Sequence, residues 1–188
     1  MGLTDVLFGR KKLKEASGEK LFALSTARIT LEHDLALTLG EAAAICFKPL
    51  SAGDFARAES DLGELLEVAA RDSGSTVERS TDTYGYSWIV VRDPDFEDLV
   101  TTVHLISSEL QSRGFGPQLL AALFRFDSGG RPLYWIYGYK RGKFWPFVPT
   151  GEQGRDNARE LELKAKLERE LPIEEDISLW FGLFGAPL

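Results

Sequence analysis

The stretch QLLAALFRFDSGGRPLYWIYGYKRGKFWPFV, residues 118–148, decides the fold that this sequence predicts. Three apolar and aromatic runs are separated by DSGG and KRGK, both of which are typical of tight turns. Gly142 can adopt the left-handed conformation that a short hairpin needs. We therefore expect a three-stranded meander with one packed face and one more open face. Strand alternation divides five aromatic residues between those faces: Tyr137, Tyr139, Phe144, Trp145 and Phe147.

Four more strands are predicted upstream of the meander. Residues 27–32 and 42–48 form two strand patterns, the second of which contains Cys46 in a buried setting. Residues 76–83 and 86–91 alternate in the same way and are linked through Tyr84 and Gly85, as in a hairpin. These patterns add two pairs of strands to the sheet.

Three segments have helical spacing. The first begins at Ser51, and the third spans residues 155–170, where Glu160 with Lys164 and Glu162 with Lys166 are spaced for ion pairing. The second begins at DPDF, where we expect Asp93 to cap the helix and Pro94 to occupy its first position. Its apolar stripe consists of Phe96, Leu99, Val100, Val103, Ile106 and Leu110.

This succession predicts an α+β fold, a single domain with a mostly antiparallel β-sheet packed by about three α-helices. A chain of 188 residues is long enough to bury roughly 70% of the surface that its unfolded form exposes. The element order is similar to that of the YbjN and type III secretion chaperone folds. We place this domain at residues 19–188.

Residues 1–18 form a short basic amphipathic segment that Thr4 is placed to cap. It is either an ordinary peripheral helix with a solvated charge run or a weak contact for a partner or an anionic membrane. The candidate membrane contacts are Leu3, Leu7, Phe8, Arg10, Lys11 and Lys12.

Charge and composition narrow the functional classes. The formal net charge of −7 argues against a protein that coats nucleic acid, and the single cysteine, Cys46, rules out an intramolecular disulfide. No apolar run is long enough to span a bilayer, and the first residues lack the order of a signal peptide. We expect a cytoplasmic protein, at most peripheral at the inner face of the membrane.

The chemically active residue types form no recognisable catalytic group. His33 and His104 lack metal-ligand partners, and an alternating strand offers Cys46 no activating base. Ser107 and Ser108 lie on a helix without a nucleophile elbow, and the abundant carboxylates fall in loops and caps. We therefore expect no cofactor, no metal and no enzymatic activity.

The turn of the meander places Lys140, Arg141 and Lys143 directly before an aromatic run. Such an arrangement is a candidate partner surface, to which we add Trp145 and Arg155. The alternative is a hairpin turn whose cations are simply solvated, since the turn itself requires only Gly142.

Several segments of the sequence resemble the PspA-associated protein B family. They are MGLTDVLFGR, LFALSTARITLE, ICFKPL, DTYGYSWIVVRD, GFGPQLLAALF, YKRGKFWPF and PTGEQGRDNARELELKAKLERELPIEEDISLWF, which together run nearly from end to end. The resemblance implies an accessory protein of a phage-shock-type envelope-stress response, in which PspA guards the inner face of the cell membrane. It implies no catalytic residues.

Two hypotheses follow from these observations. The first is a non-enzymatic adaptor or regulator that binds PspA or another envelope-stress protein through its aromatic and basic surface. The second is a small-ligand-binding or catalytic domain, with a site between the sheet and the 155–170 helix. That site would use Arg155, Asp156 and Asn157 with the meander cations. An open aromatic patch favours the first hypothesis, and a closed pocket with convergent polar groups favours the second.

Overall fold

The computed structural model describes residues 18–48 and 74–188, together with Gly63 and Glu67. The predicted segment 1–18 lies outside this part of the chain, except for Gly18. Most of the predicted helix that begins at Ser51 also lies outside it, although Gly63 and Glu67 are themselves helical.

The described strands form one six-stranded sheet in the order β2-β3-β1-β4-β5-β6. Every neighbouring pair is antiparallel, which confirms the predicted α+β class with an antiparallel sheet. The strands are β1 (Thr38–Phe47), β2 (Thr76–Thr81), β3 (Ser87–Arg92), β4 (Leu119–Ser128), β5 (Arg131–Gly138) and β6 (Lys143–Phe147).

β1 begins at Thr38, before the predicted strand at 42–48, because its pairing with β4 continues on both sides of an irregularity. The pairing of β1 with β4 shifts register between Leu39 and Ala43. Gly40 lies within this shift, where a Cβ atom would collide with the backbone carbonyl of Arg125. A glycine is therefore required for the two strands to approach so closely.

The predicted strand at 27–32 is wrong, because this segment is helical. A 3-10 turn (Gly18–Phe22) leads into helix α1 (Ala23–Thr26), and a π-helical turn (Thr30–Asp34) follows. The β-branched residues Ile29 and Thr30 favoured a strand locally. A wider window has a helical period, and its members are fully buried: Leu21, Leu24, Ala27 and Leu31.

Helix α2 (Phe96–Leu110) is the longest described helix, and its predicted apolar stripe is buried throughout. The predicted cap is wrong by two residues. Asp95 caps the helix by accepting hydrogen bonds from the backbone N–H groups of Glu97 (2.8 Å) and Asp98 (3.2 Å). Asp93 instead accepts from Ser75 Oγ at 2.6 Å and from the Asp95 N–H at 2.8 Å, which ties the start of β2 to the helix entry.

α2 packs on one face of the sheet. Its first residue, Phe96, contacts the rings of Phe124 and Phe126 edge-on, with centroid distances of 6.5 and 5.5 Å. Strand register continues this face through Trp135 and Tyr137, which lie opposite Phe124 and Ala122. These aromatic residues of β4 and β5 thus lie on the same face of the sheet as α2.

The β2–β3 hairpin forms as predicted, and Asp82 shapes its turn. One oxygen of Asp82 accepts the N–H groups of Tyr84 and Tyr86, both at 2.9 Å, and the other accepts Trp88 Nε1 at 3.0 Å. Gly85 has a φ of 83°, in the left-handed region that a glycine tolerates best. The turn is therefore held by a side chain as well as by the backbone.

The meander also forms as predicted, and Gly142 has a φ of 62°. Its aromatic residues do divide between two faces, but the expectation of one open face is wrong. On the α2 face the Tyr137 ring contacts those of Tyr139 and Phe144. The opposite face is covered by the last residues of the chain, and all five aromatic residues named above are buried.

Helix α3 (Asn157–Leu167) is shorter than predicted at both ends. Asp156 caps it by accepting the N–H of Arg159 at 2.9 Å. After α3 the chain folds back over the sheet and makes one 3-10 turn (Ile177–Leu179). We refer to residues 168–188 as the C-terminal segment.

Candidate protein-interaction site

The outer edge of β6 is closed by residues from α3 and the C-terminal segment. The Phe144 N–H donates to the Pro172 carbonyl at 2.9 Å, and the Phe144 carbonyl accepts from the Glu174 N–H at 2.8 Å. Further along, the Val148 N–H donates to the Glu160 carboxylate at 2.9 Å. Pro146 between them has no N–H to offer. β6 is therefore protected against pairing with another strand at these positions.

Arg155, a candidate partner-binding residue, makes a buried ion pair. Its Nε lies 3.0 Å from both oxygens of Glu160, a carboxylate that is 2% exposed. Its Nη1 donates to the Trp180 carbonyl at 2.6 Å, and its guanidinium lies 5.5 Å from the centre of the Phe147 ring. The predicted pair of Glu160 with Lys164 is wrong, because burial turns Glu160 toward Arg155.

The neighbouring Glu162 also has a partner other than the predicted Lys166. Its carboxylate lies 2.8 Å from a guanidinium nitrogen of Arg159, three residues earlier in α3. This pair is on the solvent side of the helix, where such contacts contribute little to stability.

Trp145, the aromatic candidate, faces inward. It is 6% exposed, and its indole Nε1 donates to the Phe181 carbonyl at 3.0 Å. Trp180 is equally buried and donates to the Glu174 carbonyl at 2.9 Å. Both tryptophans hold the C-terminal segment against the sheet, and their rings offer little surface to a partner.

Arg141 lies at the turn and pairs with Glu174. The Nε-to-carboxylate distance is 2.5 Å, with the arginine side chain 52% exposed and the glutamate 8% exposed. Lys140 beside it is exposed, and Lys143 is half-buried. The turn cations are therefore not equivalent, since Arg141 anchors the C-terminal segment as well as facing solvent.

Two exposed apolar side chains belong to the part of the C-terminal segment that contacts the meander. Ile177 is 57% exposed and Phe181 is 62% exposed. Ile177 follows Asp176, whose N–H donates to the Arg141-bound Glu174 carboxylate at 3.2 Å. The Phe181 carbonyl accepts the Trp145 indole. We define the turn surface as Lys140, Arg141, Ile177 and Phe181.

Sequence reasoning missed Ile177 and Phe181 as surface residues. The stretch ISLWFGLF contains six large apolar residues within eight positions, and no period separates inward from outward side chains. The signal that could have found them is Asp176, which caps the short turn by accepting the Ser178 N–H at 3.0 Å. An N-cap residue marks the first turn of a helix, so Asp176 indicates that a short turn begins at Ile177.

A groove of about 470 Å³ lies between β6, α3 and the first residues of the C-terminal segment. Its floor is apolar and is formed by residues 171–173. Five charged residues line it, three of them cationic: Lys143, Lys164, Arg169, Glu168 and Glu175. We call it the edge groove. One residue of the site predicted between the sheet and the 155–170 helix, Lys143, lines this groove. The other residues of that predicted site do not line it: Arg155, Asp156 and Asn157.

The remaining chemically active residues lie apart from this region. Cys46 is buried, and burial, with a smaller contribution from Asp82, raises the pKa of its thiol to about 12. His104 packs against the Phe22 ring at 4.8 Å, and His33 is exposed on the N-terminal helical run. Within residues 18–48 and 74–188, no cluster of three metal-ligand side chains is present.

The sheet and its closed edge define an α+β protein. The chain belongs to the PspA associated protein B family, because the model of that family matches residues 1–188, its full length. The family's name fits an accessory role with PspA. No curated protein matches the chain significantly. No solved structure does so either.

In the described part of the chain, no helix combines the length and the apolar character needed to cross a membrane.

Proposed function

We propose that this protein is a non-enzymatic accessory protein of a phage-shock-type envelope-stress response. It acts in the cytoplasm by binding PspA or an associated stress protein. The observation that supports this most is the turn surface: Lys140 and Arg141 are exposed at the turn, and Ile177 and Phe181 are exposed on the C-terminal segment that Arg141 and Trp145 contact. Arginine and aromatic side chains are enriched where proteins bind one another.

The intramolecular contacts of the neighbouring residues support the same proposal. Trp145 and Arg155 hold the C-terminal segment in place, so that Phe181 and Ile177 are presented at a defined position. A pre-organised apolar anchor loses less conformational entropy on binding than a flexible one. In this proposal Trp145 and Arg155 position the partner surface, while Lys140, Arg141 and Lys143 meet the partner directly.

Affinity capture of PspA by the full-length tagged protein tests the proposal. The double variant Ile177→Ser, Phe181→Ser removes the apolar part of the turn surface, and we expect it to lower capture at least tenfold. Lys140→Ser should chiefly slow association, because exposed charges steer the encounter more than they hold the complex.

Ile29→Ser with Tyr84→Ser is the matched control, since both residues are exposed and lie elsewhere on the protein. It should capture as much PspA as the wild type does. Loss of capture in this control as well, or full capture by the folded turn-surface variant, would rule out the turn surface. Absence of capture by the wild type would rule out PspA as the direct partner.

Weak contact of residues 1–18 with an anionic membrane stays a prediction. Liposome flotation of the full chain should fall as salt is raised, because each cation near the surface contributes about 1 kcal/mol and is screened within a Debye length. The variant with Arg10, Lys11 and Lys12 changed to Ser should float less than the wild type. Equal flotation of the two proteins would contradict a membrane role.

A second candidate function is binding of a small anion in the edge groove, which the three cations of its lining favour. The groove is open and also contains two carboxylates, whereas small-molecule sites usually enclose most of their ligand. Saturable binding of inorganic phosphate or of a nucleotide, measured by calorimetry, is the outcome that this second candidate requires.

A further inference from the structure

We propose that the edge groove docks an extended acidic segment of a partner protein. This inference rests on the proposed function, because it assigns the partner's chemistry to a second surface beside the turn surface. Lys143 joins the two, since it begins β6 directly after the turn and also lines the groove.

The cations of the groove are available to a ligand. Within the described part of the chain, Lys143, Lys164 and Arg169 make no ion pair within 4 Å, whereas Arg141 and Arg155 close by are both paired. Lys143 and Lys164 are half-buried and Arg169 is exposed. A carboxylate that meets these groups would gain charge-assisted hydrogen bonds without displacing an existing partner.

The shape and the charge pattern of the groove favour an extended chain over a compact polyanion. Glu168 and Glu175 line the same groove and would repel a ligand whose negative charges are concentrated. An extended segment separates successive side chains that point the same way by about 7 Å, so acidic groups can meet the cations while other residues pass the carboxylates.

The floor of the groove offers the apolar side chains of such a segment one partly exposed residue, Pro172, since Leu171 and Ile173 are buried. Residues 171–173 pack into the protein by closing the edge of β6, and Pro172 is the partly exposed member among them. Extended acidic segments that alternate with apolar residues present both kinds of side chain on opposite sides. The groove therefore fits an alternating acidic and apolar chain.

Fluorescence anisotropy with the full-length protein tests the proposal. The probe is a short labelled peptide that alternates Glu with Val, and its matched control replaces every Glu with Gln. We expect saturable binding of the Glu peptide that weakens as salt is raised, and at least tenfold weaker binding of the Gln peptide. Equal binding of the two peptides would overturn the proposal.

Charge reversal locates the binding. Lys164→Glu with Arg169→Glu should weaken binding of the Glu peptide about tenfold or more. Lys166→Glu with Arg131→Glu makes the same change in net charge at exposed positions outside the groove, and it should bind like the wild type. Equal weakening in both double variants would indicate a nonspecific charge effect and overturn the proposal.

Two further measurements guard against misfolding and against a small-anion site. Lys164→Gln with Arg169→Gln is a milder variant for use if the reversed one melts early, and it should still lose most of the binding. Inorganic phosphate should not displace the peptide at equal ionic strength. Displacement by phosphate would make the groove a small-anion site and sink the peptide proposal.

PspA capture separates this inference from the proposed function. If the wild type captures PspA and the folded groove variant captures it equally, the proposed function stands and the groove proposal for that partner fails. If the wild type binds the Glu peptide through the groove but captures no PspA, the groove stands and the assignment of PspA as partner fails.

Discussion

Two arginine–glutamate pairs flank β6, and they differ in their access to water. Arg155 and Glu160 have side chains that are 22% and 2% exposed, whereas Arg141 in the other pair is 52% exposed. Glu160 also accepts the backbone N–H of Val148, directly after β6, and Arg155 also donates to the C-terminal segment. The first pair is largely buried, whereas in the second pair the arginine faces solvent and Glu174 is 8% exposed.

The difference indicates which residues can serve a partner. A buried pair strongly destabilises the protein when one partner is removed, since the other is left desolvated and unpaired. An exposed pair contributes little to stability because water and salt screen it. Changes at Arg141 should therefore leave the fold intact, whereas removal of the Arg155 side chain should destabilise it.

The largest effect is expected for Glu160→Ala. This change removes the carboxylate partner of Arg155 and leaves the Val148 N–H without its acceptor. We expect it to lower the free energy of unfolding by about 3 kcal/mol or more. Denaturant unfolding measures this change. Glu162→Ala is the control, because this residue lies two positions later in the same helix and its side chain is 53% exposed; it should change stability little. Equal effects of the two variants would break the comparison.

A smaller loss is expected for Arg155→Lys. Lysine keeps the charge beside Glu160 but cannot also reach the Trp180 carbonyl and lie over the Phe147 ring in the same geometry. We expect a loss of about 1–2 kcal/mol, with earlier proteolytic cleavage within the C-terminal segment. Wild-type stability in this variant would show that charge alone matters at the site.

Arg141→Ser tests the second ion pair, between Arg141 and Glu174. Because the arginine side chain is more than half exposed and Glu174 keeps the Asp176 N–H as a donor, the loss of stability should stay within about 1 kcal/mol. Capture of PspA should nonetheless fall. A drop in stability as large as that of Glu160→Ala would show that the two pairs are equivalent.

The smallest effect concerns the pKa of Asp176, which is lowered from 3.8 chiefly by hydrogen bonds from Ser178 and to a lesser degree by Arg141. Since the folded state favours the ionised form, this contribution to stability is present at neutral pH and is lost as the pH falls through the folded-state pKa. Titration by NMR should show the midpoint rising in Ser178→Ala and rising less in Arg141→Ser. A larger rise in Arg141→Ser would contradict this order.

Local sequence patterns predicted the helices and strands whose apolar residues recur at a regular spacing, because one side of each packs against the rest of the protein. The apolar stripe of α2 and the strands of the meander were predicted correctly, because each repeats its period over several turns or residues. The segment 27–32 was predicted wrongly, since Ile29 and Thr30 favour a strand within a short window. Burial of Leu24, Ala27 and Leu31 against the rest of the domain overrides that preference.

The partner-surface residues were only partly accessible to sequence reasoning. Lys140 and Arg141 lie at a turn that the sequence predicts, and both are exposed. Trp145 was expected to accompany them, but the segment that covers it begins more than twenty residues later in the chain. Phe181, whose carbonyl binds the Trp145 indole, is the exposed aromatic residue of the pair.

By itself, the sequence determined the antiparallel sheet, the meander with its glycine turn, the long amphipathic helix and the family. These depend on contacts between residues close in the chain, or on a periodicity that many residues share. Tertiary structure alone decided that Arg155 is partly buried, that Glu160 pairs with it instead of Lys164, and that Phe181 faces solvent. Whether a cation is paired or free depends on which distant segment of the chain folds beside it. Here that segment is residues 168–188, which reach β6 only after the chain has turned back through α3.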